Sequence, residues 1–265
     1  MNLASPTSHA VAAGDTAPSL TIHGRIATIA LRNPGRSNRL SPSDLDALRQ
    51  HVRTVDAASE VLVLRLVASG KYFCSGYDIS SLASSDAPSS LYFGETIDLI
   101  EAARPVTIAA VSGGAYGGGT DLCLACDFRI GTTQANMFMP AARLGLHFYP
   151  GGMRRYVSRM GLNQAKRLFL TADKIGADEM LRIGFLTELV EPDELAPRVE
   201  ALSLQLAKMA PLALTGIKQD LNRLVLGTLD IEANAQAVRR SEASEDMKEG
   251  ALAWKEKRAP NFRGC

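Results

Sequence analysis

Aromatic residues are scarce in this chain of 265 residues, at 6% with a single tryptophan, and cysteine and histidine number four each. Cys74, Cys123, Cys126 and Cys265 form no even framework across loops, which excludes a disulfide-stapled secreted scaffold and sets the expectation of a reducing, cytoplasmic compartment. Cys123 and Cys126 spell C-x-x-C. They lie inside the apolar run 122–125 with no second pair downstream, so they read as small core residues and no metal site is expected. Nothing approaches the roughly 20 consecutive apolar residues that span a bilayer. The first 18 residues are rich in Ala, Ser, Thr and Pro and carry neither a basic nor an apolar stretch, so they read as a loose tail. An excess of charge is missing too. Lys+Arg 29 against Asp+Glu 28 leaves +1, which excludes a general affinity for nucleic acid or an anionic membrane, and any polyanionic ligand must be met by a local patch.

What is present is apolar residue in quantity, 46% of the chain, enough to bury the core of one sizeable domain. Residues 20–31 alternate around Gly24 as two short strands. Ser41 and Pro42 open a helical pattern through Leu45, Leu48 and Val52. The apolar run 61–67 is a buried strand that enters a polar loop, SGKYFCSGYDISS, at 69–81. A helix over about 89–103 leads through Pro105 to a second buried strand, 106–111, followed by a helix from Thr120 to about Cys126. Short strands are expected at 128–130 and 136–139. From Gly151 onward the pattern is almost wholly helical, with amphipathic stretches at roughly 176–183, 193–209, 212–226 and 231–257. Alternating strands and helices predict an α/β fold with parallel crossovers, then a helical layer or appendage.

The second buried strand runs into Gly113, Gly114, Gly117, Gly118 and Gly119, five glycines within seven residues, and then a helix. This geometry presents backbone N–H groups to a negative ligand, aided by the positive end of the helix dipole. The dinucleotide pattern G-x-G-x-x-G is met in no register, and no G-K-[ST] follows for a phosphate loop. Two readings stay open on the residues alone: a structural turn that needs glycine for close helix–strand packing, and an oxyanion hole.

The segment SGGAYGGGTDLCLACDFRIG at 112–131 resembles the part of the enoyl-CoA hydratase/isomerase (crotonase) superfamily in which a strand, three glycines, an acid and a helix ending in Cys-Asp succeed one another. Further resemblances follow in the family's order: LRNPGRSNRLS at 31–41, KYFCSGYDISSL at 71–82, RLGLHFYPGGMRRYVSRMG at 143–161, LTADKIGADEMLRIGFLTELVEPDEL at 170–195 and WKEKRAPNF at 254–262. The resemblance covers residues 20–262. It implies a crotonase-like α/β spiral of ββα units with a C-terminal helical trimerisation region, divided here as a tail at 1–18, an acyl-CoA-binding core at 19–200 and a helical region at 201–265. It also implies a homotrimer or hexamer and an acyl-CoA thioester substrate, with coenzyme A entering only as part of that substrate. The thioester oxygen is then expected between the backbone N–H groups of Tyr77 and Gly118, where two fixed donors stabilise a developing enolate by a few kcal/mol, about 3 for one donor.

Hydratases of the family carry two glutamates that hold one water and shuttle its protons. Here the first position is Asp121 and the second, after Pro140, is Ala141. Asp121 is expected as the acid/base, although an acid in the first turn of a helix also suits the dipole. His147 and Tyr149 are the substitute candidates, ahead of Arg143, with Glu95 and Asp98 on a flanking helix. Arg36, Lys71 and Lys257 lie in segments that approach coenzyme A in the family. Cys74 has no neighbouring histidine to make it a nucleophile, and Ser112 precedes the glycines on the strand side, which weakens a serine-hydrolase reading. The expected function is acyl-CoA processing of the hydratase/isomerase type. The alternatives are double-bond isomerisation, hydrolysis or carbon–carbon cleavage of a β-dicarbonyl through His147, and a non-catalytic coenzyme A-binding member.

Overall fold

The structure is a computed structural model that describes residues 16–78 and 89–265. The tail read over 1–18 lies outside these residues except for its last three. Of those, Ala17 accepts hydrogen bonds from Arg32, and the Pro18 carbonyl accepts one from His51. The final residues of the loop and motif that begin near Lys71 also lie outside the described residues.

The chain opens with a hairpin, β1 (Ser19–His23) and β2 (Ile26–Leu31), paired antiparallel across Gly24 at φ 56°. Next comes α1 (Pro42–Ala57), held at its start by a reciprocal capping box between Ser41 and Asp44. Three repeats of one pattern follow. In the first, β3 (Val63–Ala68) leads to β4 (Tyr72–Cys74) and then α2 (Ser90–Ala102); in the second, β5 (Val106–Val111) leads to β6 (Gly114–Tyr116) and α3 (Gly118–Ala125). In the third, β7 (Phe128–Thr132) and β8 (Asn136–Phe138) lead through a short 3-10 turn to α4 (Pro150–Met160) and α5 (Leu162–Thr171).

The long strands assemble one sheet in the order β1-β2-β3-β5-β7-β10, with β10 spanning Glu188–Val190, and the short ones assemble a second in the order β4-β6-β8-β9, with β9 spanning Ile175–Gly176. Each turn of the chain therefore adds a strand to both sheets and a helix outside them. This is the expected spiral of ββα units.

Strand β5 shows why its sequence is continuously apolar: every residue is buried. Ala109 and Val111 face the main core with the α1–α3 side chains, whereas Val106, Ile108 and Ala110 face a second cluster. The second cluster is completed by α7 (Leu195–Leu206), which follows α6 (Ala177–Arg182) and presents Leu195, Val199, Leu202 and Leu206 at helical spacing. α7 crosses the 200/201 boundary drawn from sequence, and its apolar stripe belongs to the sheet's core. The helix expected over 231–257 is two helices, α9 (Ile231–Glu242) and α10 (Glu245–Glu256). The break has a local cause: Ser244 caps α10 by accepting from Met247 N–H, and Glu245 and Asp246 fill its first turn, so a new helix start competes with continuation. Cys123 and Cys126 are buried and unpaired within the core. Among the described residues no helix is long and apolar enough to cross a membrane.

α8 (Pro211–Leu226) is tied to the spiral by one buried cation. Lys218 Nζ donates to the Pro105 carbonyl at 2.5 Å and pairs with Asp127 Oδ2 at 2.9 Å, and Asp127 in turn accepts from the Thr107 N–H. We expect Lys218→Ala to lower unfolding free energy by about 3 kcal/mol, as for other broken buried pairs, read as a shifted urea midpoint. A change below about 1 kcal/mol would show the pair to be dispensable.

Candidate functional site

The ends of β4 and β6 meet at the start of α3, and glycine makes that meeting possible. Gly76 has φ 90°, and a Cβ there would lie 2.7 Å from the Gly118 nitrogen and 2.9 Å from the Tyr116 carbonyl oxygen. A Cβ at Gly119 would lie 2.2 Å from the Cys74 carbonyl oxygen. The glycines thus let two backbones touch, as the structural reading required, and the same contact sets the chemistry. Leu40 N–H donates to the Gly76 carbonyl and Asp78 N–H donates to the Leu40 carbonyl, each at 2.9 Å, so the alternation of the strand turns the Tyr77 N–H to the opposite edge. Gly118 is the first residue of α3, where a helical N–H has no acceptor one turn back. Tyr77 and Gly118 both line a cavity of about 280 Å³.

The remaining wall is largely apolar, with Phe93, Met139, Ala141, Leu146 and Phe148, and carries Arg39, His147 and Tyr149 as its chemical groups. Tyr149 is seated between helices: a Cβ at Gly94 of α2 would come within 2.7 Å of its ring, and Phe148 stacks on it at 4.3 Å between centroids. Its hydroxyl donates to Asp121 Oδ2 at 2.6 Å. Burial raises the Tyr149 hydroxyl well above the ordinary tyrosine value, and the Asp121 charge adds to the effect, so the proton stays on the phenol.

Asp121 is 0% exposed and does not form part of the cavity wall. Arg155 of α4 clamps both its oxygens, Nε to Oδ1 and Nη2 to Oδ2, each at 2.7 Å. The same guanidinium donates to Asp98 at 2.6 Å and to Glu101 at 2.8 Å, and Arg154 closes the network onto Glu101. Burial disfavours the Arg155 charge, but the hydrogen bond and charge of Asp121, with Glu101 behind, raise its pKa overall. Desolvation likewise pushes Glu101 up, and Arg154 and Arg155 more than reverse that, leaving its carboxyl below the ordinary value of 4.5.

The structure therefore brings Tyr77, Gly118, Tyr149, His147 and Ala141 to one cavity and places Asp121 behind Tyr149. His147 is exposed, with Nδ1 donating to the Phe148 carbonyl at 2.9 Å, which leaves Nε2 as the acceptor of the neutral ring. Arg36 ends a 3-10 turn that lies against the loop of Lys71, since a Cβ at Gly70 would meet Pro34 at 2.6 Å. Lys257 closes α10, outside the cavity wall. Arg143 bonds the Thr171 carbonyl at an exposed position, and Glu95 pairs with Arg49. Burial pushes the Cys74 thiol up to about 12, which suits a core residue and not a nucleophile.

Sequence reasoning missed Arg155, Arg39 and the glycine seat at Gly94. Arg155 had one signal, its place on the α4 face with Gly152, Tyr156 and Met160, all of them buried. Arg39 reaches the cavity wall while paired with Asp78 at 3.3 Å.

A model of the enoyl-CoA hydratase/isomerase family matches residues 21–265. The chain is 34% identical to a crotonyl-CoA hydratase of Syntrophomonas wolfei over 251 residues, covering 90% of this chain and 94% of the relative. It is 30% identical to a carnitinyl-CoA dehydratase of Proteus mirabilis over 263 residues, covering 92% and 97%. Among solved structures, an enoyl-CoA hydratase/carnithine racemase from Magnetospirillum magneticum superposes with a TM-score of 0.89 at 26% identity, covering 96% of this chain and 97% of that one.

The charge network yields a pH prediction. Because the folded Glu101 carboxyl is depressed, its contribution to stability is complete above the unfolded value near 4.5 and is lost as pH falls through the folded value. We expect Glu101→Gln to unfold at lower urea than wild type at pH 7 and to lose less stability on acidification. Parallel curves for the two proteins between neutral pH and about pH 3 would remove Glu101 as a source of the acid dependence.

Proposed function

The chain belongs to the enoyl-CoA hydratase/isomerase family of enzymes that process acyl-CoA thioesters, and from that premise we propose that it moves a proton at the carbon beside the thioester, with Tyr149 as the group that touches the substrate and Asp121 acting through it. One observation carries this reading. Tyr149, in the wall shared with Tyr77 and Gly118, bonds through its hydroxyl to a buried carboxylate that Arg155 holds in place.

With the carbonyl oxygen between the Tyr77 and Gly118 N–H groups, the α-carbon–hydrogen bond breaks and its electron pair moves onto that oxygen. The proton passes to the Tyr149 oxygen as the phenolic proton moves to Asp121 Oδ2. Returning a proton to the α or the γ carbon regenerates a thioester, so one relay suffices for double-bond migration. Water addition needs a further group to hold the water, and the wall offers methyl at Ala141. Isomerisation is therefore the favoured reaction. Hydration is the second reading, supported by the names of the hydratase relatives.

Arg36 and Lys71, on adjoining segments, are suited to the phosphates of coenzyme A. We also infer a homotrimer or pair of trimers, because α8 leaves Ile217, Leu221, Leu224 and Val225 more than half exposed and Trp254 stands 89% exposed on α10. The unpaired thiols agree with a cytoplasmic setting.

Exchange of the α protons of butyryl-CoA in heavy water, followed by NMR, tests the proton-transfer step without presuming the product. We expect Tyr149→Phe to slow exchange by about a hundredfold or more with butyryl-CoA affinity within a few-fold. Exchange at the wild-type rate would sink the role of Tyr149. In the wild type, conversion of a β,γ-butenoyl-CoA to crotonyl-CoA is expected to outrun hydration of crotonyl-CoA. The reverse ranking would select the second reading.

A further inference from the structure

A second apolar cavity, of about 340 Å³, lies against the first and shares Ala141, Leu146, His147 and Phe148 with it. Beyond that common wall it is bounded by side chains of α4 and α5, chiefly Met153, Val157, Leu162, Ala165, Phe169 and Leu170. We propose that the two cavities form one path for the acyl chain, so that the enzyme takes medium- to long-chain acyl thioesters, with Ala141 as the passage and Phe148 as a wall common to both. The proposal rests on the thioester reading above and adds the chain class to it.

Several observations converge on this path. Among the described residues four line both cavities, and the smallest of them, Ala141, is 8% exposed and contributes only a methyl where a longer side chain would take up space between the two. Phe148, which both cavities share, is half-buried and lies over Gly152, where a Cβ would approach its Cε1 to 2.2 Å, and it packs against Phe169 of the distal wall at 5.1 Å between ring centroids, so one aromatic surface runs from one cavity to the other. The distal walls are hydrocarbon and aromatic, with Lys166 and His147 the charged or titratable groups bordering them. Leu162 at 53% and Leu170 at 72% exposure are left facing solvent, and an acyl chain is the occupant that continues from a thioester held at Tyr77 and Gly118 without a break in the apolar surface.

Calorimetric binding of a saturated series from butyryl- to decanoyl-CoA, with coenzyme A alone as reference, tests this. Affinity is expected to rise about threefold per added methylene, the factor that follows from burying a CH₂, giving decanoyl-CoA an advantage of at least about a hundredfold over butyryl-CoA. Val157→Trp fills the distal cavity from its 41% exposed rim, and Ala141→Leu fills the passage from the near side. Each is expected to reduce the decanoyl-to-butyryl ratio to below about tenfold.

A flat series in the wild type overturns the proposal while leaving the thioester reading intact, provided butyryl-CoA binds more tightly than coenzyme A. If butyryl-CoA gains nothing over coenzyme A, both fail. A ratio retained in both variants also overturns it, and if Val157→Trp then changes the oligomer's size by light scattering, the distal surface is a contact between copies of the chain.

Discussion

The pairing of Asp121 with Arg155 is the constraint around which the site is built. Both groups are 0% exposed, and removing two charges from water costs several kcal/mol per ion unless geometry and further hydrogen bonds offset it. The offset here comes from three elements. Arg155 on α4 meets Asp121 on α3 through two parallel bonds from Nε and Nη2, while Asp98 and Glu101 on α2 accept from its Nη1. The network fixes the mutual position of three helices that no sheet hydrogen bond connects. It also fixes Tyr149, because the one oxygen of Asp121 that accepts a further bond faces the phenol.

That arrangement changes what an aspartate at this place can do. Both oxygens of the carboxylate are held by a guanidinium, and its absence from the cavity wall removes it from direct contact with a substrate. A tyrosine interposed between the two supplies reach and a second transferable proton. In the proposed reaction the enolate is stabilised from the other side by the Tyr77 and Gly118 N–H groups, and the close approach of Gly76 to Gly118 brings their two segments together. The proposed acid and the proposed hole share α3: Gly118 opens it and Asp121 lies in its first turn.

The fold was largely legible because its signals are local. Continuous apolar runs at 61–67 and 106–111, the Ser41–Pro42 start and the glycine cluster each declare themselves within a few residues, and the helix break at Ser244 is a local signal that the longer amphipathic pattern overrode. The site was legible only in part. Tyr77, Gly118, Tyr149 and His147 were named and share a cavity, whereas the clamp joins residues 34 positions apart and the α2 acids stand more than 50 positions from Arg155. The helical spacing of Arg155 with Gly152, Tyr156 and Met160 marks it as the inward member of the pair with Arg154, but nothing in that spacing names the acids it meets. Arg39 was invisible for a related reason: its neighbour Asp78 reaches it only because Leu40 bridges Tyr77.

Ala141 shows how one small residue alters two properties at once. In the proposed reaction a carboxylate there would hold water beside the thioester, which the methyl of Ala141 does not do. The same residue borders the distal apolar cavity, so the loss of a polar group on one side is a gain of hydrocarbon surface on the other. On the proposed reading, chemistry without a second carboxylate and room for a longer chain trace to the same residue, and a path for the chain past Ala141 is compatible with the proposed proton relay because Tyr149 is seated on Gly94 of α2 and bonded behind to Asp121.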